Sequence, residues 1–205
     1  MFCISINHKN TPADVRESFA FSTKGQRQFT ERLKAAVGGC VVLSTCNRME
    51  IYFTDKCEPC GPVITGKMSS GEASGGRGGL LEQVEMLLAN DRDVPVSLIR
   101  RYSMNYEGFQ CMLHLCRVAC GMDSMVLGEV EIIHQVKSAY LVAKKLGACD
   151  GELNIAFQGA LAAAKAVATE SDATRLPISV GTLSAREAVN FTRNGGIENT
   201  CRDVR

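Results

Sequence analysis

A chain of 205 residues, 45% apolar and 22% charged, is long enough for one medium domain, or one domain and part of a second, and it can bury a core. Its 23 basic and 22 acidic residues leave a net charge of +1, which excludes bulk electrostatics as the means of holding a polyanion but not a local basic patch. No apolar run reaches the ~18 residues of a membrane span, and MFCISINHKN lacks the basic and long apolar regions of a secretory signal, so no membrane and a cytoplasmic location are expected.

In chain order, FCISIN alternates as a strand with Phe2, Ile4 and Ile6 on one face. Thr11-Pro12 breaks it, and ADVRESFAF forms a short helix. KGQRQFTERLKAAV is an amphipathic helix carrying Phe29, Leu33 and Val37, and Gly38-Gly39 ends it. CVVLS and MEIYF read as strands with TCNR between them. Residues 57–79 are rich in Gly and Ser and read as a long flexible loop. Helices follow: LLEQVEMLLA, the short VPVSLIRRY, the mostly apolar YEGFQCMLHLCRVACG, then EVEIIHQVKSAYLVAKKLG and ELNIAFQGALAAAKAVATES. SVGTLSAREAVNFTRN predicts one more helix, and the tail after it has no core pattern. The fold class expected is α+β: a small sandwich of a βαββ-type sheet with helices, with mixed or antiparallel pairing, followed by a bundle of long helices.

The residues that could carry chemistry begin with Cys46. A thiolate is the nucleophile, and a free thiol near pKa ~8.5 is only slightly ionised at neutral pH. Arg48, two residues on, either favours that thiolate or clamps a carboxylate. Thr45 and Asn47 add short polar groups, and all four converge only if TCNR is a turn rather than strand; the alternative is a buried strand-end cysteine. His114, on an apolar helix, is either a satisfied core residue or a general acid facing Cys46. His8 and His134 are weaker candidates. In GMDSMVLGEVEIIHQVK, Ser124, Glu129, Glu131 and Gln135 either stabilise a turn and a helix start or wall a polar pocket for an amino acid. Cys57 and Cys60 form a single CxxC without a second ligand pair, so no metal site is expected, a redox or metal module being the weakest reading. No GxGxxG loop appears.

Three segments, SINHKNTPADVRESFAF, VVLSTCNRMEIYF and HLCRVACGMDSMVLGE through QVKSAY, together resemble glutamyl-tRNA reductase, and VATESDATRLPISVG fits the end of the same region. The resemblance covers residues 1 to about 190. It implies an oxidoreductase of tetrapyrrole biosynthesis that reduces tRNA-bound glutamate to glutamate-1-semialdehyde with NADPH. It implies Cys46 as the nucleophile that forms a glutamyl thioester and His114 as a residue needed for activity. Thr45, Asn47, Arg48, Ser124, Glu129, Glu131 and Gln135 are implied as substrate contacts, Arg48 for the glutamate carboxylate. It further implies glutamyl-tRNA(Glu) and glutamate-1-semialdehyde aminomutase as partners, and a homodimer. Val130-Glu131 stand where the family usually shows Pro-Gln, and His134 stands where a glycine is common. Residues 1–175 are expected to form the catalytic domain and 176–205 a connecting helix and tail, with the NADPH-binding and dimerisation domains absent. Thioester formation and hydrolysis are then the expected competence of these residues, and a non-reducing module that binds glutamyl-tRNA or a partner protein is the alternative.

Overall fold

The structure is a computed structural model that describes residues 1–55, 78–126, 128–129 and 131–170. Its elements run β1 (Phe2–Asn7), α1 (Ala13–Glu17), α2 (Thr23–Ala36), β2 (Gly39–Ser44), β3 (Arg48–Thr54), α3 (Gly78–Arg92), α4 (Val96–Tyr102), β4 (Met104–Glu107), α5 (Gly108–Ala119), α6 (Glu131–Lys145) and α7 (Gly151–Glu170). The strands make one antiparallel sheet in the order β2-β3-β1-β4. A small α/β sandwich followed by long helices is therefore what the chain forms.

Both faces of this sheet are covered, so every residue of β3 is buried. Paired residues in an antiparallel ladder point to the same face. Ile4 pairs with Ile51, Ile6 with Met49 and Phe2 with Phe53, which makes one face apolar. On the other face the pairs are Cys3 with Tyr52, Ser5 with Glu50 and Asn7 with Arg48. That second face lies under α5 and α7, with Phe157 of α7 set edge-on against Tyr52 at 5.3 Å. A polar stripe thus runs along a buried sheet face and points toward the Cys46 turn.

The structure adds one strand to the expected set. β4 has an almost fully exposed MNYE sequence and pairs only with β1, at the sheet edge. A four-residue edge strand buries too little to leave an apolar alternation, so it reads as the start of a helix. The helix behind it, α5, is also less buried than its composition suggests. Cys111, His114, Leu115, Val118 and Ala119 face inward, while Phe109 is 76% exposed.

α5 ends in a left-handed turn at Gly121 (φ 71°). Gly121 N donates to the Val118 carbonyl at 3.0 Å and Met122 N to that of Arg117 at 2.9 Å, the two bonds of a Schellman cap. A Cβ on Gly121 would meet the Glu129 backbone at 3.2 Å, so this glycine also lets the chain of 121–129 close on itself. The cap fixes where Asp123 and Ser124 emerge. No helix of the described residues is long and apolar enough to cross a membrane. The expected final helix, Cys57 and Cys60 lie outside the described residues. So does the expected 57–79 loop, apart from Gly78 and Gly79, which open α3.

Candidate active site

The TCNR segment is a turn. β2 stops at Ser44 and β3 begins at Arg48, leaving Thr45, Cys46 and Asn47 at the hairpin tip. The Thr45 side chain holds the turn: its hydroxyl oxygen accepts from Asn47 N at 3.2 Å and from Arg48 N at 3.1 Å, and the hydroxyl reaches the Arg48 carbonyl at 3.4 Å. A short β-branched hydroxyl does this locally, which is why Thr suits the position. Two further contacts pin the tip from outside. Arg16 Nε donates to the Cys46 carbonyl at 3.0 Å, and His8 N donates to the Asn47 carbonyl at 2.9 Å. Cys46 itself is exposed. The strand-end alternative, a buried structural cysteine, is therefore not what the chain builds.

Cys46 faces a cleft of about 310 Å³. Thr45, Cys46, Asn47 and Arg48 line one side, Ser124, Glu129, Glu131 and Gln135 line the other, and Met125 and Ile132 add apolar wall. All eight residues singled out in the sequence around TCNR and GMDSMVLGEVEIIHQVK meet in this one place.

Arg48 is 2% exposed and is held at both ends of its fork. Nη1 donates to Glu50 Oε1 at 3.0 Å and Nη2 to the Asp123 carbonyl at 2.6 Å. Glu50 is fully buried and is the hub of the stripe. Its Oε1 also accepts from Ser5 Oγ at 2.9 Å and meets His114 Nε2 at 2.9 Å, while its Oε2 accepts from Tyr52 OH at 2.7 Å. Burial alone would raise the Glu50 pKa. The His114 hydrogen bond, the Arg48 charge and the Tyr52 hydroxyl outweigh it and hold the carboxyl at about 2, so the group is a carboxylate. An ionised carboxylate only accepts, so the His114 proton sits on Nε2. The same carboxylate, added to burial, pushes the Tyr52 phenol well above its ordinary range.

His114 is not brought to the Cys46 cleft. It is 4% exposed, its ring stacks on Tyr106 at 4.1 Å, and it lines a neighbouring cavity with Asp123 and Lys9. Its Nδ1 lies 3.9 Å from Asp123 Oδ2. Burial would raise the Asp123 pKa too, but the Lys9 ammonium at 2.5 Å and then the Arg117 charge bring it below the ordinary value. His8 stays beside the turn; burial, then Arg48, Lys9 and Arg16, lower its pKa. His134 is exposed on α6 and lines neither cavity.

Sequence reasoning missed Glu50, Arg16 and Asp123 as supports. The signal for Glu50 was present: in RMEIYF, period two places Arg48, Glu50 and Tyr52 on one face, and a carboxylate amid an apolar strand needs a partner there. Arg16 reaches Cys46 across 30 residues of sequence, which no local pattern announces.

The family model described as "Glutamyl-tRNAGlu reductase, N-terminal domain" matches residues 4–171. A glutamyl-tRNA reductase from Carboxydothermus hydrogenoformans is 34% identical over 190 residues, covering 92% of this chain and 38% of the relative. One from Akkermansia muciniphila is 36% identical over 190 residues, covering 92% of this chain and 50% of the relative. The solved glutamyl-tRNA reductase of Methanopyrus kandleri superposes with a TM-score of 0.65 at 25% identity, covering 92% of this chain and 39% of that one. The chain spans between about two fifths and half of the length of these relatives.

Proposed function

The chain belongs to the glutamyl-tRNA reductase family, as its N-terminal domain, and from that premise we propose that Cys46 takes the glutamyl group from glutamyl-tRNA as a thioester. The observation that carries this reading is the exposed thiol at the tip of a pinned turn, facing a cleft lined by polar side chains. The thiolate sulfur attacks the ester carbonyl. A C–S bond forms, the C–O bond to the terminal ribose breaks, and the ribose oxygen leaves with the proton the thiol gave up. The products are a glutamyl thioester on Cys46 and free tRNA. Splitting acyl transfer from the later step in this way is covalent catalysis.

The cleft has a chemical reason to prefer glutamate. The substrate offers a side-chain carboxylate and an α-ammonium. Among the described residues Arg48 is the one guanidinium lining the cleft. With Nη1 and Nη2 already donating to Glu50 and the Asp123 carbonyl, it offers the substrate carboxylate its positive charge rather than a free two-pronged fork. Glu129 and Glu131 lie across from it and hold the ammonium, with Ser124 and Gln135 supplying neutral hydrogen bonds. Glu131 brings a second carboxylate to the side of the cleft that meets the ammonium. Glu50 keeps Arg48 in a single rotamer, and His114 keeps Glu50 ionised and oriented. His114 is in this reading a positioning residue.

NADPH is the reductant implied by the family, and it supplies the hydride that turns an acyl thioester into an aldehyde. The described residues contain no glycine-rich strand-to-helix loop fitted to a dinucleotide. Reduction to glutamate-1-semialdehyde, delivery to the aminomutase, dimerisation and a cytoplasmic setting are proposed for the whole protein.

The test is discharge of glutamyl-tRNA without reductant. Acyl transfer followed by hydrolysis frees glutamate faster than the uncatalysed rate, and Cys46→Ser returns it to that rate. Discharge at an equal rate in both proteins would refute the reading. Tight tRNA binding without discharge would assign the chain to the binding-module class instead.

A further inference from the structure

Beside the Cys46 cleft lies a second cavity of about 300 Å³ that acyl transfer does not use. It opens between the end of β1, the edge strand β4 and the outer side of α5. Its walls are of three kinds. Met104 and Leu113 are apolar, and the fold leaves them 41% and 42% exposed. Tyr106 is aromatic and is held rigid by its stack on His114, with the planes 11° apart. Asn10 and Gln110 bring side-chain amides from exposed positions, and Lys9 and Arg117 bring two cations, each shared with Asp123. Apolar and aromatic walls edged with amides and cations suit a nucleobase. The ring stacks, the amides meet its hydrogen-bonding edge, and the cations meet the adjoining phosphate.

The position of the cavity says which nucleoside. The two cavities share a thin partition. Arg48, in the wall of the first, is the ladder partner of Asn7, in the wall of the second, and such partners sit about 5 Å apart. Ser124 lines the first and Asp123, its neighbour in sequence, lines the second. In an aminoacyl-tRNA the ester carbonyl attacked at Cys46 is joined through a ribose oxygen to the terminal adenosine. A nucleoside must therefore lie against the cleft during transfer. We propose that the cavity formed by Asn10, Tyr106, Gln110 and Leu113 holds that terminal adenosine. The proposal rests on the reading of Cys46 as acceptor of the glutamyl group.

The test compares two esters of the glutamate α-carboxyl offered to the 205-residue chain: 3′-O-glutamyl-adenosine and glutamate α-ethyl ester. The wild type is expected to discharge the adenosine ester about ten-fold more efficiently or better, the size of one stacked base. In the double variant Asn10→Ala/Gln110→Ala, both at exposed positions, that ratio falls toward unity. A wild-type ratio near unity, or an unchanged ratio in the variant, overturns the proposal. Calorimetric titration with AMP reads the cavity without chemistry. Binding that weakens about ten-fold in the double variant supports it, and absence of AMP binding overturns it. If neither ester is discharged, the acyl-transfer reading fails while the AMP titration still decides the cavity. Displacement of AMP by nicotinamide mononucleotide at equal or lower concentration would also overturn the proposal, assigning the cavity to the nicotinamide of the reductant.

Discussion

Replacing Glu50 with Gln keeps the shape of the buried hub and removes its charge. The carboxyl is held at about 2 against an ordinary value of 4.5. A shift of that size corresponds to on the order of 3 kcal/mol of stability at neutral pH. Because the folded pKa is the lower one, that stability is present above about 4.5 and is lost as pH falls toward 2. Glu50→Gln also strands the Arg48 guanidinium, which is 2% exposed, and a buried charge left without its partner costs roughly 3–5 kcal/mol. For a domain of this size, that lowers Tm by roughly 6–20 °C. The assay is thermal and urea unfolding of wild type, Glu50→Gln, Arg48→Met and the double variant at neutral pH, repeated near pH 3. The double variant should recover much of the loss, and the gap between wild type and Glu50→Gln should narrow as pH falls. A drop in Tm below about 2 °C at neutral pH, or a gap independent of pH, would refute the view that this ion pair holds the site.

His114→Gln retains an N–H able to meet Glu50 and should keep most glutamyl-tRNA discharge, whereas His114→Leu should lose both stability and discharge; equal loss in both would make His114 a proton-transfer group instead. Thr45→Val removes the hydroxyl that holds the turn and should cost about 1–2 kcal/mol in urea unfolding, with Thr45→Ser restoring it. Arg16→Met frees the Cys46 carbonyl and should slow discharge about ten-fold or more while leaving Tm nearly unchanged. Gly121→Ala places a side chain in a left-handed turn against the Glu129 backbone and should destabilise by about 1–3 kcal/mol, measured by the same unfolding assay.

The long helices were legible because their apolar positions recur at helical spacing, and β1 to β3 because short apolar runs end at Gly, Thr and Pro. β4 was not, since an exposed edge strand has no inward face to mark it. The cleft was legible as two sequence clusters, TCNR and SMVLGEVEIIHQ, because polar residues in turns and at the start of a strand or helix stand out beside apolar elements. Their meeting depends on the Schellman turn at Gly121, the last residue of the segment YEGFQCMLHLCRVACG, whose sequence does not show where the chain goes next. Arg48 looked like a free clamp beside Cys46. Its burial depends on Glu50 and His114, which approach from a neighbouring strand position and a distant helix, and sequence order does not display that contact. His114 looked like a partner for Cys46 for the same reason: both are chemically suited, but the Arg48–Asp123 partition stands between their cavities.

Acyl transfer in this domain turns on a covalent bond to one sulfur. Incubating the chain with glutamyl-tRNA labelled in the glutamate, without NADPH, and quenching in acid reads that bond directly. Label retained by the wild type, released by hydroxylamine and absent from Cys46→Ser is the predicted result. A folded wild-type protein that binds the tRNA, takes up no label and frees no glutamate beyond the mutant's rate would contradict it.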